Sequence, residues 1–227
     1  MSSAASRFPE CVPVLSDGPV TLRAHRVDDI DRIVEQATDP EMSRWTTVPV
    51  PYTRADAEGF VLRQIPDLWN TAGAMCWAVE VDGRFAGGVD IRGAGAEVEI
   101  GYGLHPDMRG RRIMSRAVRL AVAHAFAAGR TGIRWIGGDG NEASLRVAHQ
   151  CGFWLDAWVP GGAVVRGEPV DVFRAWLRAG DRPYPRTSWE STVADAARMR
   201  DAHPGPGERN LDTQATYLAS RMRERRP

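Results

Sequence analysis

The segment Glu97–Phe126, EVEIGYGLHPDMRGRRIMSRAVRLAVAHAF, constrains the fold more than any other. A strand pattern runs to Leu104 and ends at His105-Pro106; the chain then turns through Met108-Arg109-Gly110-Arg111-Arg112. A helical pattern starts at Ile113, with Met114, Val118, Ala121, Val122, Ala125 and Phe126 at three- and four-residue spacings, and Gly129 stops it. A strand that feeds a glycine-containing turn and then a helix N-terminus makes an anion site. The first-turn amides have no intrahelical acceptor, and the helix dipole favours negative charge there. Arg109, Arg111 and Arg112 add Coulomb attraction for a phosphate group.

The elements around this unit follow from periodicity and punctuation. Met1 to Pro19 is small, polar and broken by prolines, which predicts a loose lead-in. Val20–Ala24 alternates as a first strand. Asp28 or Asp29 caps a helix to about Ala37, and Asp39-Pro40 is expected to stop it. Thr53 with Asp56 resembles a capping box for a second helix, which Pro66 should kink or end near Gln64. Met75–Val81, Arg84–Ile91 and Glu97–Leu104 form an antiparallel meander, its first turn marked by Asp82-Gly83. Ile133–Ile136 reads as a buried strand parallel to Glu97–Leu104, because a helix joins them. Asn141 caps a helix that Gly152 ends; Phe153–Val159 and Val170–Leu177 read as a closing hairpin across Pro160-Gly161-Gly162. After Arg178 the pattern loosens, with helical stretches at Glu190–Met199 and Leu211–Met222 and a basic tail.

Composition narrows the partners. The chain of 227 residues has 29 basic and 29 acidic side chains, so bulk charge gives no support for a nucleic-acid partner. Three cysteines, Cys11, Cys76 and Cys151, are too far apart for a metal or disulfide framework and read as small buried hydrophobes in a reducing cytoplasm. No apolar run approaches the ~20 residues of a membrane span, and the first residues lack the apolar core of a signal peptide. No metal site is expected.

Two segments carry a resemblance. GYGLHPDMRGRRIMSRAV looks like the strand and pyrophosphate loop of the GNAT superfamily of acyl-CoA-dependent N-acyltransferases. NEASLRVAHQCGF closely matches the N-x-x-S-x(7)-G-F pattern of its Rim-type ribosomal-protein acetyltransferase branch, and is the more specific of the two. The resemblance implies an α/β fold with a mixed, mostly antiparallel sheet splayed between its fourth and fifth strands and flanked by helices. It places the lead-in at 1–19, the acyltransferase domain at 20–179 and a C-terminal extension at 180–227.

It also implies a site. Backbone amides of Arg109, Gly110, Arg111, Arg112, Ile113, Met114 and Ser115 would hold the pyrophosphate. Leu104 would offer backbone groups to the pantetheine arm, and Asn141, with Ser144 nearby, would reach that arm or the sulfur; Asn141 also reads simply as a helix cap. The loop departs from the family's R/Q-x-x-G-x-G/A pattern, since Arg112 replaces the glycine and Met114 the small residue. Either Arg112 takes helical dihedrals and donates its amide, or the loop fits coenzyme A less well.

The candidate base is Glu99, with Glu97 on the same strand face and Asp90 able to share the cleft. A solvated polar face is the bland alternative. His105 has a suitable pKa but reads as a loop residue. The family's tyrosine acid is replaced by Ala148. The expected activity is direct acetyl transfer from acetyl-CoA to a primary amine: a protein N-terminus, a lysine or a small-molecule amine. The alternatives are a longer donor such as succinyl-CoA, or a non-catalytic acyl-CoA sensor. The aromatic closing hairpin (Trp154, Trp158, Phe173, Trp176) reads as core, with a homodimer surface as its second reading.

Overall fold

A computed structural model describes residues 7–203. The stretch Leu211–Met222 and the basic tail lie outside the described residues. The strands are β1 (Leu15–Asp17), β2 (Val20–Arg23), β3 (Ala74–Val81), β4 (Arg84–Arg92), β5 (Glu97–Leu104), β6 (Gly132–Gly138), β7 (Trp154–Val165) and β8 (Glu168–Arg178). The helices are α1 (Ile30–Thr38), α2 (Pro40–Trp45), α3 (Arg54–Gly59), α4 (Ile65–Asn70), α5 (Ile113–Ala127), α6 (Glu142–Gln150) and α7 (Trp189–Asp201).

All strands join one eight-stranded sheet in the order β1-β2-β3-β4-β5-β6-β8-β7. Among the described residues, only β5 and β6 run parallel, joined through α5 as a crossover requires. Their pairing lasts from Glu97↔Gly132 to Ile100↔Trp135. Beyond that point β5 follows β4 to Leu104 while β6 follows β8 to Gly138, so the sheet opens into a V. This is the splay expected between the fourth and fifth strands; β1 shifts the count by one.

The two faces of the sheet differ. On one, α5 presents the small side chains Ala117, Ala121 and Ala125, all fully buried, so the helix packs close upon Val89, Ile91, Val98, Ile100, Ile133 and Trp135. On the other, Ile30 and Ile33 of α1 and Ala57 of α3 cover Ala78 and Phe85. Further along that face come Asp90, Arg92, Glu99 and Arg134, which register places side by side on neighbouring strands.

Several expectations change. The lead-in contains β1, which pairs with β2 through Leu15↔Leu22. Asp39-Pro40 ends α1 but begins α2, with Asp39 as N-cap and Pro40 in the first turn, where no amide is needed. Pro66 ends nothing: α3 continues through a wide π turn (Phe60–Gln64) into α4, whose first turn holds the proline. The closing hairpin turns at Arg166-Gly167, both at positive φ (51° and 87°), and not at Pro160-Gly161-Gly162. Those residues form a bulge inside β7, held by the Gly161 amide donating to Asp171 Oδ1 at 2.7 Å. The extension begins as part of the same body. Arg119 donates to Pro183 O at 3.1 Å, and Thr192 of α7 bonds His149 Nδ1 at 3.0 Å. No helix among the described residues is long and apolar enough to cross a membrane.

Candidate active site

The basic turn is anchored before it is functional. Pro106–Met108 make a short 3-10 turn with Met108 buried, and the chain then swings outward through Gly110 at φ 76°. Arg112 follows at φ 56°, ψ 18°, left-handed rather than helical, and α5 starts at the next residue. A left-handed dihedral at this position is one that glycine adopts without strain. Arg112, at the position where the family pattern has glycine, therefore bears a conformation that glycine takes at no cost. Ile113, Met114 and Ser115 are buried at the start of α5, so their side chains face the core. Their amides, as the first three of the helix, have no intrahelical acceptor.

The three arginines of the turn have different surroundings. Arg109 pairs with Asp39, and this guanidinium holds the Asp39 carboxyl below the usual carboxylate range. Arg111 lies over Met108, with Nη1 3.3 Å from its sulfur. Among the described residues, no carboxylate stands within ion-pair distance of Arg111 or Arg112. The uncompensated positive charge of the turn is therefore on these two. The Ser115 hydroxyl is taken by Gln150 Oε1 at 2.5 Å, which leaves only its amide for a ligand.

The second motif forms one lip of the V. Asn141 caps α6, its Oδ1 accepting the Ser144 amide at 3.1 Å, so the cap reading is realised and the side-chain NH2 is left over. Ser144 ties the lips together. Its hydroxyl accepts from Trp135 Nε1 at 3.1 Å, and its carbonyl accepts from Tyr102 of β5 at 2.8 Å. The second motif of the sequence thus braces the opening of the sheet. Leu104 closes β5 opposite Gly87, half-buried on the other lip.

The carboxylates gather at the base of the V. Glu99 Oε1 lies 3.1 Å from Arg92 Nη2 and its Oε2 3.2 Å from Arg134 Nη2; its side chain is 14% exposed. Asp90 Oδ2 lies 2.8 Å from Arg92 Nε. Gly101 is the first β5 residue beyond the last β5–β6 pair, and a Cβ there would come within 2.8 Å of both Asp90 Oδ1 and Arg92 Nη2. The missing side chain is what lets this acid-base cluster lie over the strand. Burial raises the Asp90 pKa, with Arg92 opposing and Glu99 adding to the rise. Glu97 is apart, paired with Arg178. His105 is buried between Glu35 (3.0 Å) and Asp107 (2.7 Å), a scaffold place that agrees with its reading as a loop residue. Cys76 and Cys151 are buried with thiols pushed up to about 12, so neither is a nucleophile.

The sequence offers the irregular stretch between the first two helices as a substrate wall, with a packing loop as its bland alternative; it did not show α2, which stands there. Met42 of α2 packs over Gly103, where a Cβ would meet its Cε at 2.5 Å, and Gln36 of α1 lies beside it. Trp45 lies against Gly138, on the β6 lip. Arg166 at the tip of the β7–β8 hairpin donates to Val48 O at 3.2 Å and so reaches the segment after α2. The one available signal was the alternation in Gly101-Tyr102-Gly103, which empties one strand face. A cavity of about 770 Å³, lined by Val12, Val14, His25, Val61 and Leu62, lies away from this chemistry, by the N-terminal edge of the sheet. Among the described residues no group of three or more His, Cys, Asp or Glu is placed to hold a metal.

Comparison with known proteins agrees with the geometry. A family profile described as an acetyltransferase (GNAT) domain matches residues 20–154, more than half of the chain. Among solved structures, RimL, a ribosomal L7/L12 alpha-N-protein acetyltransferase, aligns with TM-score 0.66 at 18% identity over 74% of this chain and 94% of its own. Mycobacterium smegmatis RimJ, in complex with a CoA-disulfide, aligns with TM-score 0.66 at 20% identity over 84% of this chain and 96% of its own. The microcin C7 self-immunity acetyltransferase MccE, in complex with acetyl-CoA and AMP, aligns with TM-score 0.64 at 17% identity over 71% and 93%. At such identities these structures show the shared fold. No curated protein matches. The chain belongs to the GNAT acetyltransferase family and is a GNAT-type N-acyltransferase.

Proposed function

We propose that this chain moves an acetyl group from acetyl-CoA to a primary amine by direct transfer. The observation that carries the reading is the V between β5 and β6, which opens beside the α5 N-terminus and its two uncompensated arginines. An extended pantetheine arm has the shape and hydrogen-bonding character of a strand, and the β5 edge from Gly101 to Leu104 has lost its β6 partner. The amides from Gly110 to Ser115 take the pyrophosphate, that of Arg109 being given to Pro106 O at 3.4 Å, with Arg111 and Arg112 as its counter-charge. The spare NH2 of Asn141 faces the arm, with Ser144 as its scaffold.

In the transfer the amine nitrogen attacks the thioester carbonyl, the C–S bond breaks, and the thiolate leaves and takes up a proton. Glu99 or Asp90 receives the proton lost by the amine. Glu99 is kept in place by two arginines, and burial raises the pKa of Asp90. The acceptor class favoured is a protein α-amine. RimL, which shares the fold, is a ribosomal L7/L12 alpha-N-protein acetyltransferase, and the Asn141–Phe153 motif matches that branch. Free thiol is followed after mixing the protein with acetyl-CoA and a panel of N-terminal peptides, lysine and polyamines. Amine-dependent thiol release that is highest with an N-terminal peptide supports the reading. Binding of acetyl-CoA with no turnover on any amine overturns it.

A further inference from the structure

We propose that α2 is a strap across the acceptor side of the V, latched by the Asp39–Arg109 ion pair and released when the phosphates of acyl-CoA take Arg109. The proposal rests on the reading of the basic turn as the pyrophosphate site. It adds a coupling between that turn and the wall where the amine must enter.

The latch joins the basic turn to α2, beside the Arg32–Asp107 and Glu35–His105 contacts that tie α1 to the same turn. Arg109 belongs to the turn before α5, and Asp39 is the N-cap of α2. The same oxygen, Asp39 Oδ2, accepts the Met42 amide at 3.2 Å and the guanidinium of Arg109. One carboxylate therefore starts the helix and ties it to the loop. A pyrophosphate seated on the first-turn amides of α5 brings more negative charge to Arg109 than Asp39 does.

The strap is lightly held. None of the residues of α2 is fully buried, and Pro40, Glu41 and Arg44 are exposed. It nevertheless spans both lips of the V, with Met42 over Gly103 on β5 and Trp45 over Gly138 on β6. Beside Met42, over the same Gly103, lies Gln36, 8% exposed, whose Oε1 has no hydrogen-bond partner among the described residues. An amide oxygen shut from water without a donor is an unfavourable arrangement. Opening α2 relieves it, and gives the acceptor amine or its neighbouring N–H a carbonyl to bind beside the β5 lip. Closed, Met42 and Trp45 occupy the approach; open, the approach and the Gln36 amide become available together.

Coenzyme A itself is the probe, with calorimetry for affinity and amide hydrogen exchange over residues 41–48 for the strap. Binding of coenzyme A to the wild type should speed exchange across α2. Asp39→Asn keeps a good N-cap but removes the charge. It should show fast α2 exchange without ligand and bind coenzyme A about two- to fivefold more tightly, the range of a partly exposed ion pair. Arg109→Gln should loosen α2 in the same way while weakening coenzyme A. The proposal is overturned if coenzyme A binds the wild type while α2 exchange stays at its free value, or if Asp39→Asn and wild type bind it equally. If the wild type does not bind coenzyme A at all, the pyrophosphate reading itself fails, and the strap with it.

Discussion

The hydroxyl of Tyr102 on β5 donates to the carbonyl oxygen of Ser144 in α6 at 2.8 Å, bridging the two lips of the V. Burial pushes the Tyr102 hydroxyl well above its ordinary range, so it stays protonated and acts as a donor to the backbone, not as an acid for a leaving thiolate. Tyr102→Phe should therefore lower stability by about 1–2 kcal/mol, because a buried carbonyl loses its donor. Urea denaturation reads the loss, and the pH dependence of kcat should not move.

Arg112 bears a left-handed backbone at φ 56° without the freedom of glycine. Arg112→Gly should stabilise the folded chain by about 1 kcal/mol, the strain of a side chain in that region less the added entropy of the unfolded glycine. Arg112→Val, β-branched at the same dihedral, should lose more than that. Thermal melts of the two variants against wild type check the sign of each.

At the base of the V, Glu99→Gln should lower kcat by about 10²- to 10⁴-fold if Glu99 takes the proton, with the KM for acetyl-CoA unchanged. The same measurement on Asp90→Asn decides between the two carboxylates, since only the acceptor of the proton gives the large drop. Single-turnover kinetics separate this from product release.

Asp90 also predicts a pH dependence of stability. Its folded-state pKa is raised, so its contribution is fully present below the ordinary carboxylate pKa and is lost as pH rises through the higher folded value. Asp90→Asn should gain on wild type progressively as pH rises from about 4. The side chain as a whole keeps 31% exposure, so the gain is small even though Oδ2 is sealed.

His25 works in the opposite direction. It is buried against Phe60 and Phe85, and desolvation lowers its pKa to about 4, Asp29 opposing and Arg23 assisting. A neutral buried imidazole gives stability that is complete above its unfolded pKa of about 6.5 and is lost as pH falls towards 4. Over that window the wild type should lose up to about 3 kcal/mol, and His25→Leu should flatten the curve. Denaturation midpoints at a series of pH values test this.

What the sequence disclosed, and what it hid, follows from how far each interaction reaches. Asp82-Gly83 announced its turn because positive φ at both positions is local chemistry, and both take it (51° and 75°). Thr53 and Asp56 form the reciprocal cap their spacing suggested. Strand parity put Glu97 and Glu99 on one face and Asp90 was offered the same cleft; the structure brings Arg92 to Asp90 and Glu99 and leaves Glu97 with Arg178. Arg134 joins Glu99 only through the parallel β5–β6 register, which no local pattern states. The partner of Arg109 is 70 residues away, so the doubt about the loop rested on Arg112 and Met114 and the competing carboxylate went unseen. Pro40 stops α1 as its sequence indicated, but it also sits in the first turn of α2, where a missing amide goes unused. At Pro66 the helix does not end: it widens through the π turn Phe60–Gln64 and runs on into α4. Pro160 sits in a bulge whose place is set by Asp171 on the facing strand.

The strand order also governs how the domain can be cut. β6 shares one edge with β5, but its other edge is satisfied by β8, which the chain supplies only at Glu168–Arg178. A fragment trimmed to the family match, ending at residue 154, would present β6 with bare backbone along Gly132–Gly138 and the apolar pair Ile133 and Trp135 beside it. Such an edge templates strand addition between molecules. Fragments that stop short of β8 should precipitate or oligomerise, and the chain emerging during synthesis carries the same hazard until β8 has been made.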